Sequence, residues 1–292
     1  MTTHLVSIGT ATPEAALSQA AARDFFRAQP GIDRLAARLI GAAFDQSAID
    51  ARHSVIGSIG SGDIAFADAE GRLRSPGTGE RNALYRRAAP PLTEEAAREA
   101  LGRSGFSAAD VTHVVTASCT GFFAPGPDFR LVRDLGIPSS AERTHIGFMG
   151  CAAAFPALRS AARICAAQPG SVVLVACTEL CSLHIRSSSD PEQIVASAVF
   201  GDGAAAAIVT SAAPRGAAPS LEIGEFSTAI TSDGEEDMDW TIGDNGFEMR
   251  LTARVPRIIG REIAGVVRRV LDEGVDPTSA ISDRGSPWRR SP

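Results

Sequence analysis

The chain has 292 residues, 44% of them hydrophobic, with 34 acidic side chains against 28 basic ones and a formal net charge of −6. That supports a sizeable core, built as one large domain or two intimate halves, and argues against a broad basic surface for nucleic acid. Every basic residue is Arg and none is Lys, so any phosphate contact has to come from Arg, a helix terminus or a backbone nest.

In chain order, LVSIG (5–9) reads as a first short strand. Ala21, Phe25 and Phe26, then Leu35, Leu39 and Phe44, recur at helical spacing, and Pro30 with Gly31 divides them into two helices. Residues 58–81 are Gly-rich and read as surface loop. PLTEEAAREALGRSG (91–105) predicts a helix capped by Thr93 and stopped at Gly102 or Gly105. VTHVVTAS predicts a buried strand ending at Cys119. A Gly/Pro turn follows, and a helix from Pro127. HIGFMG (145–150) is a short strand and turn, Cys151 comes next, and a small-residue helix runs to near Gly170. SVVLVAC (171–177) is the plainest strand, β-branched and almost wholly apolar. Residues 181–190 form a polar loop, and a short helix runs through Val199. GDGAAAAIVT (201–210) supplies a glycine turn and another buried strand. Residues 211–220 read as the joint between halves, so the expected units are 1–215 and 216–292. LEIGEFSTAI (221–230) resumes as strand, and residues 255–274 form a long amphipathic helix. Helix alternating with strand implies α/β layers. The closing ISDRGSPWRRSP has no periodicity.

The five cysteines are Cys119, Cys151, Cys165, Cys177 and Cys181. Their odd number, behind an opening that does not read as a signal peptide, points to a reducing, cytoplasmic compartment. No apolar run reaches the roughly 18 residues a membrane span needs. Cys151 follows Gly150, which permits a sharp turn, and precedes a helix, whose unpaired N–H groups and dipole favour a thiolate and the oxyanion of an attacked thioester. Cysteine is also a common small core residue, the reading that suits Cys165 and Cys177. Cys119 ends a strand before a glycine turn, where a pocket wall is expected. Cys177 and Cys181 lack a second ligand pair, so no metal site is expected. Of the histidines, His113 and His145 fall on strands and His184 on the polar loop, within reach of a pocket. GDGAAAA has neither GxGxxG spacing nor a P-loop Lys, and the acidic run GEEDMDW (234–240) reads as a solvated loop.

Several blocks together resemble the type III polyketide synthases of the chalcone synthase-like kind. They are IGTATP (8–13), CTGFFAPGPDFRLVRDLG (119–136), GFMGCAAAFPALRSA (147–161), VVLVACTELCS (172–182), ASAVFGDGAAAAIV (196–209) and WTIGDNGFEMRLTARVP (240–256). The resemblance implies a thiolase-like layered αβαβα fold of two similar halves, with an incomplete second half here, in a homodimer. It implies an acyltransferase: a CoA starter loads Cys151, malonyl-CoA decarboxylates, its enolate attacks the bound thioester, and cyclisation yields a pyrone or phenolic product. Acyl-CoA and malonyl-CoA are then substrates, and no cofactor is held permanently.

By the same resemblance Phe200 is the gatekeeper aromatic beside the decarboxylation site, and Gly201 keeps the adjacent backbone slim. Cys119, Thr120, Cys181 and Ser182 fall in pocket segments. Phe122 fills nearby wall, and Ala124 stands where plant members place a methionine that reaches the partner's cavity. Met249 replaces a second phenylalanine. A fatty starter and the bacterial members of the family are implied. The family's CoA-holding cations lie on the helix before SAID. Gln46 stands where one is usual, which leaves Arg34, Arg38 and Arg52 as candidate phosphate contacts.

The family's histidine (W.IHPGG-like) and asparagine (GNMSS-like) blocks do not occur in the sequence, and ISDRGSPWRRSP stands where the first should begin. The expectation is a C-terminal truncation, by frameshift or premature stop, with impaired condensation. Two other readings remain at this point. One is a ketoacyl-ACP synthase III-like acyltransferase, which malonyl-ACP against malonyl-CoA would separate. The other is an inactive pseudo-enzyme that dimerises with a full-length relative.

Overall fold

The computed structural model describes residues 2–57, 64–213, 215 and 220–272. The expected Arg/Pro-rich tail, the first part of the 58–81 loop and half of the 211–220 joint lie outside the described residues.

Strand β1 (Thr3–Ala11) opens the chain, followed by β2 (Ala16–Ser18) and helices α1 (Gln19–Arg27) and α2 (Arg34–Asp45). Next come β3 (Ala51–His53), α3 (Thr78–Ser104), β4 (His113–Ser118), α4 (Pro127–Leu135) and β5 (Glu142–Gly147). Then follow α5 (Ala154–Ala167), β6 (Val172–Leu180), α6 (Pro191–Val199), β7 (Asp202–Thr210) and β8 (Leu221–Ile223). A hairpin of β9 (Met238–Gly243) and β10 (Gly246–Leu251) leads to α7 (Val255–Asp272).

Six strands make one mixed sheet in the order β5–β4–β6–β7–β1–β8. β4 is parallel to β5 and β6, while β7 runs antiparallel to β6 and β1. The step from β4 to β5 goes outward in the sheet, and the step from β5 to β6 returns across β4. Right-handed crossovers in opposite directions put their helices on opposite faces. Accordingly Leu131 of α4 joins the core on one face, and Ala157, Ala161 and Cys165 of α5 join the core on the other. The strands show the matching period of two. Val114, Val172, Leu174 and Ala176 point to the α3–α4 side, and Val115, Val173 and Val175 to the α5 side. A third cluster, with Phe26, Ile40, Phe44 and Ile194, ties α1, α2 and α6 together.

Three expectations change. First, the helix expected from Pro91 starts at Thr78 and carries Pro90 and Pro91 inside it. Thr93 is therefore no cap: its hydroxyl bonds the carbonyl of Ala89 (2.7 Å) and the hydroxyl of Thr178 (2.6 Å). Burial of Tyr85 and Ala89 against the sheet holds the turns before the prolines, which local propensity alone would give up. Second, the strand expected over 221–230 is ordered as strand only at β8, and β8 pairs with β1, so the first sheet takes in residues beyond 215. Third, the acidic run is not wholly solvated: Asp237 is buried, accepts from the Thr252 hydroxyl and pairs with Arg254 (3.2 Å), and the run's end is strand β9.

Candidate active site

Four chain segments meet at one edge of the sheet. Cys119 follows the carboxyl end of β4, Cys151 follows that of β5, and Cys181 follows that of β6. Because β7 is antiparallel, Gly201 at its start reaches the same edge. This is where open α/β sheets place ligands. The cavity formed there measures about 660 Å³. Cys119, Thr120, Cys151, Cys181, Phe200, Gly201 and Met249, all expected at the pocket, line it.

Cys151 is the exposed thiol. It sits in a 3-10 turn, Gly150–Ala152, that runs through Ala153 into α5. Two residues before it turn the chain with positive φ, Phe148 at 53° and Gly150 at 65°. A non-glycine residue there costs about 1–3 kcal/mol unless its surroundings fix it. The Phe148 ring packs against Phe122 (5.3 Å between centroids) and Phe247 (5.7 Å), which anchors the turn presenting the sulfur.

The opposite wall is held by a polar clamp on Cys119 and Thr120. The Glu179 carboxylate accepts from the Cys119 N–H (2.8 Å) and the Thr120 hydroxyl (2.7 Å). The Trp240 indole N–H donates to the Cys119 carbonyl (2.7 Å). His184 Nε2 donates to the Thr120 carbonyl (2.8 Å), while its Nδ1 accepts from the Phe247 N–H (2.9 Å). That pairing fixes one neutral tautomer. Its ring stacks on Phe247 at 4.3 Å and 12°. Burial, with Arg81 and Arg186 nearby, pushes the His184 imidazole down to about 4. Both ring nitrogens are engaged, so His184 shapes the wall and holds no proton for transfer. Burial raises the Glu179 carboxyl and the Cys119 thiol, and lifts the Cys181 thiol well above its ordinary range. Cys119 and Cys181 are thus protonated thiols at neutral pH.

The remaining expected residues lie elsewhere. Ser182 faces away from the cavity: its N–H (2.7 Å) and hydroxyl (2.5 Å) both bond the Asp202 carboxylate, which also takes the Val55 N–H. Phe122 stands behind the wall in the aromatic cluster. Ala124 is exposed on a separate groove. Arg34 and Arg38 are exposed on α2. Arg52 is turned inward, against the phosphate role expected of it. Its guanidinium donates to the carbonyls of Ser197 (2.7 Å) and Phe200 (2.6 Å), capping the end of α6. Burial lowers it to about 10, so it stays charged at neutral pH while committed to those carbonyls. Cys165 is core, and Cys177 is raised by burial to about 11. His113 and His145 bond Thr112 and Thr116 from their own strands. Among the described residues no group of three His, Cys, Asp or Glu stands at metal-binding spacing, and no helix is long and apolar enough to cross a membrane.

Glu179, Gln193, Met238, Trp240 and Phe247 also line the cavity and were not among the expected site residues. A signal for the last three was present. Asp244–Asn245 between two glycines is a two-residue hairpin turn, and the pairing Trp240↔Met249 with Ile242↔Phe247 puts alternate residues on one face. Nothing in the sequence around Glu179 marked its carboxylate as a backbone clamp.

An exposed thiol on a strand-to-helix turn with positive φ stands beside a largely apolar cavity at the carboxyl ends of the strands of a layered α/β sheet. The family model for chalcone and stilbene synthases, N-terminal domain, matches residues 2–214. The 3,5-dihydroxyphenylacetyl-CoA synthase of Streptomyces toyocaensis is 30% identical over 274 residues, 92% of this chain and 66% of that protein. The alpha-pyrone synthesis polyketide synthase-like Pks18 of Mycobacterium tuberculosis is 30% identical over 271 residues, 92% of this chain and 67% of its own length. The crystal structure of the C-terminal type III polyketide synthase domain of Steely1, a type I/III hybrid from Dictyostelium, superposes with a TM-score of 0.86 at 30% identity, covering 97% of this chain and 77% of that one. The chain belongs to the chalcone and stilbene synthase family, the type III polyketide synthases, with their thiolase-like αβαβα fold. It spans about two thirds of the length of the Streptomyces and Mycobacterium relatives.

Proposed function

We propose that this chain is a type III polyketide synthase that takes an acyl group from a CoA thioester onto Cys151. The observation that carries this is the exposed Cys151 on its turn, lining a cavity of about 660 Å³ together with Phe200 and Gly201. In the loading step the Cys151 thiolate attacks the thioester carbonyl. The C–S bond to CoA breaks, and the CoA thiolate leaves and takes up a proton. Met149, Met238 and Met249 line the cavity, and their unbranched, polarisable side chains suit a flexible alkyl starter. Malonyl-CoA is the extender, Phe200 shields the departing carboxylate from water, and a pyrone or phenol is the product. The protein acts as a cytoplasmic homodimer without a permanently held cofactor. Residues 1–215 form the half carrying the nucleophile, and residues from 216 begin the second half while lending β8 to the first sheet.

The one imidazole in the cavity wall among the described residues, His184, is fully engaged. We therefore expect the 292-residue chain to load readily and to condense about 100- to 1000-fold below a member with a free oxyanion donor at Cys151. Intact mass spectrometry after incubation with a medium-chain acyl-CoA should show one acyl adduct, mapped to Cys151 and lost in Cys151→Ala. An adduct that persists in Cys151→Ala, or none at all, counts against the reading. Radiolabelled malonyl-CoA should release carbon dioxide at a rate near background, and efficient product formation would refute the condensation estimate.

A further inference from the structure

Among the described residues the largest fully buried side chain is a cation. Arg81, in the first turn of α3, is 1% exposed. Among those residues no carboxylate forms an ion pair with it, and the adjacent Glu80 pairs with Arg74 instead (3.2 Å). Burial, and then the like charge of Arg186, lower Arg81 to about 10, so it is a cation at neutral pH. A buried charge without a counter-charge is costly unless hydrogen bonds fill its donors.

Those bonds go to backbone carbonyls. Nε donates to Pro76 (2.9 Å), and one terminal nitrogen donates to both Leu183 (2.5 Å) and Ile185 (3.1 Å). Leu183 and Ile185 flank His184 on either side in the chain. The guanidinium lies over the Phe66 ring at 5.2 Å, which fixes its plane. Gly246, the first residue of β10, leaves the room it needs. A Cβ there would lie 2.7 Å from both Cδ and Nε of Arg81. The Gly246 N–H donates to the Thr78 hydroxyl of the same helical turn (2.9 Å). One turn of α3 therefore grips the backbone around His184 and the start of β10. His184 and Phe247, which follows Gly246, are the two rings that stack at 4.3 Å in the cavity wall. Arg81 itself does not line that cavity, so any effect it has there passes through His184.

We propose that Arg81 is a positioning residue for acyl loading: by fixing the carbonyls on both sides of His184, it sets the His184–Phe247 stack as the wall against which the acyl chain lies. This rests on the reading that Cys151 takes an acyl group from CoA.

The test compares the wild type with Arg81→Gln and Arg81→Lys. In histidine-labelled protein at neutral pH, NMR of the wild type should show His184 as one tautomer with a protected Nε2–H. Arg81→Gln should lose that protection. Arg81→Lys, which keeps the charge but not the fork, should fall between. In Arg81→Gln the octanoyl-CoA concentration that gives half-maximal loading of Cys151 should rise about tenfold. Loading from acetyl-CoA, whose two carbons make little use of the wall, should change far less. The rate of Cys151 alkylation by iodoacetamide should stay the same. A folded Arg81→Gln that keeps the wild-type His184 signature overturns the proposal, and so does an equal loss for both thioesters. If neither variant folds, Arg81 serves the fold and not the wall, and the proposal fails. Absence of any Cys151 adduct in the wild type overturns the reading of Cys151 instead, and the His184 signature then decides separately whether Arg81 sets the wall.

Discussion

The indole N–H of Trp240 donates to the carbonyl of Cys119 over 2.7 Å, joining residues 121 positions apart. The Glu179 carboxylate holds the N–H of the same Cys119 from the other side. The short peptide that walls the cavity is therefore gripped at both polar groups, one of them by a hairpin outside the main sheet. Trp240→Phe keeps the aromatic packing against His184 and removes the donor. The expected loss is about 1 kcal/mol of stability, read as a lower urea midpoint with unchanged slope.

The buried neutral His184 makes stability depend on acid. Its imidazole protonates only at about 4 when folded, whereas the unfolded side chain does so near 6.5. Above the unfolded value both states are neutral at this site and it contributes no pH dependence. As pH falls, the unfolded chain takes the proton first, so stability is lost between about 6.5 and 4, by up to about 3 kcal/mol. Urea midpoints measured over that window should fall more steeply in the wild type than in His184→Gln. Equal slopes would show that His184 is not held neutral.

Arg52 separates a structural role from a ligand-binding one. Arg52→Ala leaves the half-buried Ser197 and Phe200 carbonyls without their charged donor, at a cost of about 1–3 kcal/mol in all. A clear drop in unfolding midpoint is expected. If Arg52→Ala instead weakens acyl-CoA binding while the midpoint stays put, the side chain belongs to the ligand.

Two glycines make an opposed pair. A Cβ on Gly9 would lie 2.3 Å from the Ala96 carbonyl oxygen and 2.4 Å from the Ala100 nitrogen, both backbone atoms of α3. Gly9→Ala must push β1 off that helix and should cost about 1–3 kcal/mol. Gly41, inside α2, meets nothing within 4 Å, so Gly41→Ala should stabilise by about 0.5–1 kcal/mol. A thermal midpoint that does not fall in Gly9→Ala would contradict the close β1–α3 approach, and one that falls in Gly41→Ala would contradict the open setting of that residue on α2.

Much of the layered fold was readable from pattern. The apolar β-branched run of β6 and the small-residue periodicity of α5 signal their elements locally, because each buries a repeating face. The turn at Gly150 marked Cys151 in the same way. The first half of α3 was not readable, since Pro90 and Pro91 argue locally for a break and only the packing of Tyr85 and Ala89 on the sheet overrides them.

The sequence by itself determined the family and the layers, because these rest on periodicity and on blocks of residues such as the one around Cys151. The tertiary structure alone decided how the polar groups around the cavity are paired. Glu179 and Trp240 meet Cys119 across distant segments, Arg52 turns inward to carbonyls instead of outward to phosphate, and His184 spends both nitrogens on the backbone. The reason is physical: a buried polar group takes whichever partner the packed elements bring within about 3 Å, and that choice is written in no local spacing.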